Sequence, residues 1–292
     1  MITKRAQRKF KSGRVRDAYA RDRGGWRHVA EKQDQRVEKL WRETLLGTNP
    51  ADRAGRTFFA ALPSPPRCEL CAAPFRGPFA PVLRLIGKRP LARNPRYCEF
   101  CFRFVLNKKG GAEVGMSAMF ADVRGSTPMA ERLGATGTHA LMDRFYSTGI
   151  ELLIHGGALI DRFMGDQVVG YFVPGFAGRD HARRAIETGL ELLRATGHVP
   201  GAEPWVPVGA GVHTGSAFIG TVGPAEGQLE ITALGEDVNV AARLASVAAT
   251  GELVCSEAAY QAAGLDLPGE RRTLALKGVS LPIEVRALRS ST

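Results

Sequence analysis

Apolar residues in the C-terminal two-thirds of the chain fall in short runs that predict strands. Met116 to Ala121 is one run, residues 157–163 and 167–173 flank a Gly-Asp pair, and Val206 to His213 is a fourth. Runs of this length, bounded by Gly and Asp, are typical of buried strands that end in turns. The second and third runs are close enough in sequence to form a hairpin.

Two acidic residues lie at the ends of these predicted strands. Asp122 follows the first strand in Phe120-Ala-Asp-Val-Arg-Gly-Ser-Thr127, and Asp166 is at the hairpin tip in Asp161-Arg-Phe-Met-Gly-Asp166. In a βαββαβ ferredoxin-like sheet, the end of strand one and the hairpin between strands two and three share an edge. The two carboxylates should therefore converge. Because close carboxylates repel one another, they favour a hard cation such as Mg²⁺ or Mn²⁺.

The turn after Asp122 adds a second feature to this edge. Gly125, Ser126 and Thr127 offer backbone N–H groups that can hold an anion. A metal site beside a phosphate-binding turn indicates nucleotide chemistry. The alternative for both aspartates is a purely local role, because Asp is favoured in turns.

A third segment, Thr232-Ala-Leu-Gly-Glu-Asp-Val-Asn-Val-Ala-Ala-Arg243, predicts a strand end, a Gly turn and a helix. Asn239 and Arg243 are four residues apart and share one helix face. An amide beside a guanidinium suits a ribose and a developing negative charge on phosphate. With this pair also present, a site explains Asp122 and Asp166 better than turn chemistry does.

In this order, the three segments resemble the class III adenylyl/guanylyl cyclase family over about residues 112–289. The resemblance implies a ferredoxin-like α/β catalytic domain that works as a homodimer with shared active sites. It implies that a nucleoside triphosphate is converted to a 3′,5′-cyclic nucleotide and pyrophosphate. Asp122, Asp166 and the Val123 carbonyl would bind two Mg²⁺ or Mn²⁺ ions, which assist attack of the ribose 3′-hydroxyl on the α-phosphorus.

The resemblance also implies which residues bind the nucleotide from the partner subunit. Arg162 and Thr232 would contact the base, Asn239 would orient the ribose, and Arg243 would stabilise charge in the transition state. Lys277 would meet the triphosphate. The alternative for Lys277 is simple solvation, which is usual for a lone Lys in a loop.

Arg162 departs from the family pattern, because adenylyl members commonly carry Lys there and guanylyl members an acceptor such as Glu. Arginine only donates hydrogen bonds, so it cannot accept from guanine N1–H. It could donate to adenine N1, with Thr232 accepting from the amino group. It could equally reach the carbonyls of a pyrimidine. We therefore expect ATP first, narrowly ahead of UTP or CTP.

Four cysteines form two CxxC pairs, Cys68-Glu-Leu-Cys71 and Cys98-Glu-Phe-Cys101, with 26 residues between the pairs. Four thiolates complete a tetrahedral Zn²⁺ site, which is the favoured interpretation. An Fe–S cluster also takes four cysteines. The remaining alternative is thiols without a metal. We expect such a site to have a structural role and no sensing role.

Charge is unevenly distributed along the 292-residue chain, whose net charge is +11. Residues 1–110 carry 26 Lys and Arg against 9 Asp and Glu, whereas residues 111–292 carry 14 against 20. This shift and a Gly pair place a boundary near 107–114. We expect three segments: a basic, partly helical arm at 1–61, the four-cysteine module at 62–110, and the catalytic domain at 111–292.

The basic arm has few apolar residues over 1–27, so we expect that stretch to be mobile, with a helix over 28–46. A solvated tail is one interpretation. The others are attraction to an anionic partner, either nucleic acid or a membrane surface, and docking to another protein. A regulator that binds nucleic acid through the zinc module, with a non-catalytic cyclase fold, is the competing function.

The remaining features are less specific. No apolar stretch reaches the length of a membrane span, and the N-terminus lacks the apolar run of a signal peptide, so a cytoplasmic protein is expected. Cys255, alone in an apparent strand, is expected to be a buried packing thiol. His213, at the end of another strand, is expected to be structural.

Overall fold

The computed structural model of the protein describes residues 35–64, 66–91, 94–161, 165–223, 230–279 and 281–290. Its N-terminal elements are α1 (Gln35–Leu46), α2 (Pro50–Ala61), α3 (Ala80–Leu85), β1 (Pro90–Leu91), β2 (Asn94–Cys98) and α4 (Glu99–Asn107). The helix predicted over 28–46 is confirmed over its described part. Residues 1–34 lie outside the described ranges, and so do the predictions of a mobile arm and of its anionic partner.

The rest of the chain forms one large sheet with flanking helices. In chain order its elements are β3 (Gly111–Val123), α5 (Ser126–Gly156), β4 (Leu159–Ile160), β5 (Gln167–Phe172), α6 (Pro174–Ala177), α7 (His181–Ala195), β6 (Val208–Val222), β7 (Glu230–Leu234), α8 (Glu236–Val247), β8 (Glu252–Ser256), α9 (Glu257–Ala263), β9 (Glu270–Leu274) and β10 (Ile283–Arg289). Among the helices of the described ranges, none is long and apolar enough to cross a membrane.

The strand order confirms the predicted ferredoxin-like fold. Within the described residues the sheet has eight strands in the order β4-β5-β3-β6-β8-β10-β9, with β7 paired to β6 outside this path. The unit β3–α5–β4–β5–α7–β6 is the βαββαβ motif, and its strands are antiparallel neighbours. The end of β3 and the β4–β5 connection therefore lie at one edge of the sheet.

The strands differ in length from the sequence prediction. The structure extends β6 to Val222, well beyond His213, because the small residues that follow pair with β3, and Phe218 to Val222 then pair with β7. Those residues, Thr-Gly-Ser-Ala at 214–217, have the composition of a turn rather than of a strand. The described part of β4 is only Leu159–Ile160, and residues 162–164 lie outside the described ranges.

Alternation along β3 divides the core between the two faces of the sheet. Met119 and Ala121 face α5 and α7, where Phe145 and Ile186 are fully buried. Met116, Ala118 and Phe120 point the other way, as the period of two requires. Each fully buried side chain of this size contributes about 1.5–3 kcal/mol.

The second face of the sheet is covered by α1 and α8. Trp41 and Leu45 of α1 pack in the same cluster as β3, and Trp41 donates a hydrogen bond from its indole nitrogen to the Lys108 carbonyl at 2.8 Å. Helix α8 crosses β6 at Gly211, where any Cβ would collide with the backbone of Ala245. The glycine thus lets α8, which carries Asn239 and Arg243, lie directly on the sheet.

Candidate active site and cysteine centre

The ladder between β3 and β5 brings the two aspartates together. Asp122 is paired with Gln167, the residue after Asp166, and the Val123 amide donates to the Asp166 carbonyl at 3.1 Å. Gly165 makes the tip of the hairpin with a φ of +63°. The Tyr146 hydroxyl donates to the Gly165 carbonyl, which fastens the tip to α5. Val123 and both carboxylates therefore form one cluster at the predicted edge.

The electrostatics of this cluster suit a cation. Burial raises the pKa of the Asp122 carboxyl to about 6, and the negative charge of Asp166 adds to the increase while Arg124 opposes it. The Asp122 Oδ1 atom is buried and has no hydrogen-bond partner within the described part of the chain. A buried oxygen without a partner, next to a second carboxylate, offers the oxygen ligands that Mg²⁺ or Mn²⁺ prefers.

This shift gives an expected pH dependence for the metal-free protein. Because the folded state holds the Asp122 proton more tightly than the unfolded chain does, its contribution to stability is greatest below the usual carboxyl pKa. This stabilisation decreases as the pH rises toward the pKa of the folded state, and above about pH 6 it no longer changes. Melting temperatures in EDTA should therefore fall over this interval, and Asp122→Asn should flatten the curve. Parallel curves for the two proteins would contradict this expectation.

The turn after Asp122 forms the start of α5. Gly125 has a φ of +65° and is the N-cap of this helix, without a side-chain cap. Ser126 and Thr127 occupy its first turn, where backbone N–H groups have no partner within the helix. A helix N-terminus following a left-handed glycine can receive an anion such as phosphate.

Arg124 links the carboxylate cluster to α8. Its Nη1 atom lies 3.6 Å from Asp122 Oδ2 and donates to the Ser246 carbonyl at 3.1 Å, and Nη2 donates to the Ala245 carbonyl. Gly209 leaves room for this side chain, since a Cβ there would meet Nε at 2.6 Å. Sequence reasoning missed Arg124, because its only sequence signal is its place between Asp122 and Gly125, and arginine in a turn is ordinarily solvated.

Helix α8 presents the predicted ribose and phosphate residues to solvent. Asn239 and Arg243 are both exposed and separated by one helical turn, and Lys277 is exposed in the loop before β10. Across the described ranges, no hydrogen bond or ion pair connects these three residues to Asp122 or Asp166. One chain therefore brings the carboxylates together but does not bring the α8 residues to them.

A hydrogen-bonded network fixes the N-terminal end of α8. Asp237 accepts a hydrogen bond from the Ser216 amide at 2.7 Å, and its other oxygen lies 3.1 Å from His213 Nε2. The Nδ1 atom of His213 is 2.8 Å from Ser256 Oγ, which also accepts from the Ala259 amide at the start of α9. His213 thus has the structural setting that its strand position suggested. This role of Asp237 has no direct signal in the sequence.

Thr232 is buried in β7 and contacts the residue that precedes Arg162. Its hydroxyl donates to Asp161 Oδ2 at 2.9 Å, and the Tyr171 hydroxyl donates to the same oxygen at 2.5 Å. Arg162 itself lies outside the described residues. Asp161 and Tyr171 were missed, because Thr232, which connects them to the site, is 71 residues from Asp161 in the sequence.

Comparison with known proteins identifies the fold family. The family model for the adenylate and guanylate cyclase catalytic domain matches residues 109–278, more than half of the chain. The chain belongs to this family. The cyclase match includes Asp122, Asp166 and the whole of α8, and it begins after the four cysteines.

Several cyclases resemble this chain. Adenylate cyclase 1 of Rhizobium meliloti is 32% identical over 136 residues, which are 44% of this chain and 20% of that protein. The adenylyl cyclase CyaB from P. aeruginosa has 25% identity and a TM-score of 0.55 over 62% of this chain and 97% of that structure. A guanylyl cyclase structure with 28% identity and the same TM-score covers 61% of this chain and 93% of its own. The chain spans about a quarter or less of the length of the curated relatives it matches.

N-terminal to the cyclase match, the four cysteines converge. Their Sγ atoms all lie within 4.8 Å of one another, and those of Cys71 and Cys98 are 3.8 Å apart. The Cys98 amide donates to Cys68 Sγ at 3.2 Å, and the Cys101 amide donates to Cys98 Sγ at 3.4 Å. A tetrahedron with Zn–S bonds of about 2.3 Å has S–S edges of about 3.8 Å. The cluster therefore fits one ion at its centre, and it could hold a metal.

The fifth cysteine is in a different environment. Cys255 is buried in β8 and donates from Sγ to the Arg286 carbonyl at 3.5 Å. Burial raises the pKa of its thiol to about 12. A protonated, buried thiol packs as a small apolar group, which matches the expectation for this residue.

Proposed function

We propose that this protein converts a nucleoside triphosphate to a 3′,5′-cyclic nucleotide and pyrophosphate. The observation that carries the proposal is the convergence of Asp122 and Asp166, with a buried carboxylate oxygen left without a partner beside a helix N-terminus. Family membership and the similarity to adenylyl and guanylyl cyclases support the same reaction. The product would act as a second messenger, in the cytoplasm.

The carboxylate cluster would hold the divalent ions. Asp122 and Asp166 lie together, and the Val123 amide donates to the Asp166 carbonyl. The two carboxylates and the Val123 carbonyl would supply the oxygen ligands, which suit Mg²⁺ or Mn²⁺. When bound, two such ions would stabilise the attacking and leaving oxygens of an in-line displacement. The N–H groups of Ser126 and Thr127 would receive phosphate oxygens at the start of α5, next to Gly125.

The exposure of the α8 residues supports a shared active site in a homodimer. Asn239 would orient the ribose, Arg243 would stabilise negative charge in the transition state, and Lys277 would contact the triphosphate. These side chains face solvent and make no hydrogen bond or ion pair with the carboxylates of their own chain, and a second copy would bring them there. Two complete sites would then form per dimer.

The contact between Thr232 and Asp161 bears on the base. The Thr232 hydroxyl donates its hydrogen to a buried carboxylate, so only its lone pairs are left for a ligand. Such a group accepts from an amino group and does not serve a carbonyl. This favours adenine or cytosine, which carry an amino group on the pairing edge, over uracil. Guanine also carries donors there, and it is disfavoured instead by Arg162, which cannot accept from guanine N1–H, so ATP is the first substrate. Arg162 would donate to the same base.

The test is incubation with ATP, GTP, CTP and UTP in Mn²⁺ and identification of the products by mass spectrometry. We expect cyclic AMP as the main product, and Arg162→Lys should change the profile little, because one donor replaces another. A preference for UTP would contradict the Thr232 argument. In that case a shift toward ATP in Arg162→Lys, by about 5- to 150-fold for one hydrogen bond, would show that Arg162 reads the base. No cyclic product from any nucleotide would contradict the proposed reaction.

For the N-terminal module, we propose one structural zinc ion bound by Cys68, Cys71, Cys98 and Cys101. The short Sγ separations support a single ion, since an Fe–S cluster interposes several atoms between its cysteines. Zinc would supply folding energy to a segment whose own core holds little more than Phe75 and the cysteines. The division into an arm at 1–61, a module at 62–110 and a catalytic domain at 111–292 is part of this proposal.

A further inference from the structure

Lys88 is a buried cation next to the four cysteines. The residue is only 8% exposed, and its Nζ atom lies 3.7 Å from Cys71 Sγ. The same ammonium lies 4.0 Å from the ring centre of Phe100 and 5.4 Å from that of Phe59. Burial lowers the pKa of Lys88, but the negative charges of the cysteines outweigh it and leave that pKa raised. A buried ammonium needs a compensating negative charge.

Arg56, on α2, is the second cation at this centre. Its Nη1 atom donates to the carbonyls of Glu69 and Leu70 at 2.8 and 3.0 Å, both in the loop between Cys68 and Cys71. Burial lowers the pKa of Arg56, and the cysteine charges oppose this decrease. The guanidinium is thus held against the loop that supplies two of the four thiolates.

The charges of this group fit one kind of metal centre. Four thiolates around one divalent ion have a net charge of about −2, which the buried Lys88 and the half-buried Arg56 neutralise. A single trivalent ion would leave a positive charge buried instead. We infer that Arg56 and Lys88 are the charge-compensating partners of a divalent tetrathiolate centre, and that Arg56 joins this centre to the catalytic domain.

The guanidinium of Arg56 also makes the contact that connects the metal centre to the catalytic domain. Arg56 lies 4.3 Å from the ring centre of Phe176 in α6, which follows β5 in the catalytic domain. A cavity of about 280 Å³ lies at this junction, between α1, α2, the cysteine loops and α6. Binding of the metal fixes the thiolates, the thiolates and their loop fix Arg56, and Arg56 holds Phe176. Loss of the metal therefore releases this contact.

Zinc affinity tests the first half of the inference, which depends on the proposed zinc site and not on cyclase activity. Arg56→Met and Lys88→Met should each weaken zinc binding by about 10- to 100-fold in competition with a chelator, as removal of outer partners of a metal site does. Arg53→Met is the matched control, because Arg53 lines the same cavity but is exposed. It should bind zinc as the wild type does. Unchanged affinity in both charge variants would overturn the inference, and so would stoichiometric iron or no metal in protein purified under reducing conditions.

Hydrogen exchange tests the second half. Removal of zinc from the full-length wild type should increase amide exchange in α6, and Arg56→Met should show the increase even when saturated with zinc. Lys88→Met, saturated in the same way, should not, because Lys88 does not contact α6. If Arg56→Met fails to fold, Arg56→Lys keeps the charge while losing the paired carbonyl contacts, and it should show near-normal zinc affinity with faster exchange. If amide exchange in α6 changes neither on zinc removal nor in Arg56→Met, the proposed connection between the metal centre and α6 is refuted.

Discussion

Asp122→Ala and Asp166→Ala should each abolish formation of the cyclic nucleotide while leaving the fold intact. Each change removes one of the two carboxylates that converge at the end of β3 and the β4–β5 hairpin. Since the proposed ions stabilise both the attacking and the leaving oxygen, we expect less than about a hundredth of wild-type turnover. The measurement is initial rate with Mn²⁺ and the preferred nucleotide.

The fold of these variants can be checked independently of activity. Asp143→Ala, an exposed acidic residue on α5, is the matched control and should retain activity. Removal of a repelling carboxylate should leave the metal-free melting temperature at neutral pH equal to or above that of the wild type. Turnover above about a hundredth in a folded Asp122→Ala or Asp166→Ala protein would contradict the two-metal role.

The carboxylate edge could be predicted from the sequence because its signals are local. An apolar run followed by Asp122, and two runs around Gly165 and Asp166, specify a strand end and a hairpin through period and turn chemistry alone. The ferredoxin-like connection then puts them at one edge, which the strand order confirms. The cysteine cluster could also be predicted from the sequence, since two CxxC pairs indicate that the four cysteines bind one metal ion.

The partners of these groups could not be predicted in the same way. Arg124 meets carbonyls of α8 more than a hundred residues later, Thr232 reaches Asp161, and Lys88 reaches Cys71. Each contact is a product of tertiary packing, and a lone Arg, Thr or Lys carries no sequence pattern that identifies its partner. The extension of β6 was missed for a related reason, because pairing with β3 overrides the turn-like composition after His213, and β7 pairs with the residues beyond it.

The packing of α1 illustrates the same limit. Its amphipathic pattern predicted a helix, but not that Trp41 and Leu45 lie in the core of the catalytic sheet. Its composition assigned this helix to a basic arm, because the distribution of charge along the sequence does not show which residues are buried in the folded protein. The consequence is a path from the cysteine module, through Arg56, α6 and α1, to the sheet that carries Asp122.

Mixing two inactive variants should restore activity if the sites are shared between subunits. Asp122→Ala removes a metal ligand, and Arg243→Ala removes an α8 residue that the structure leaves exposed and apart from the carboxylates. A heterodimer has one site with both lesions and one with neither. After full exchange of equal amounts, half of the dimers are mixed and half of their sites are intact, so about a quarter of wild-type activity should return.

The matched control for this mixing experiment combines Asp122→Ala with Asp166→Ala. Both lesions are then in the same half of the site, because the two carboxylates belong to one cluster on one chain. Every heterodimer site still lacks a carboxylate, and no activity should return. Differently tagged subunits, purified through both tags, verify that exchange has occurred. Inactive Asp122→Ala–Arg243→Ala heterodimers would refute the shared site, since all other requirements for one intact site are then met.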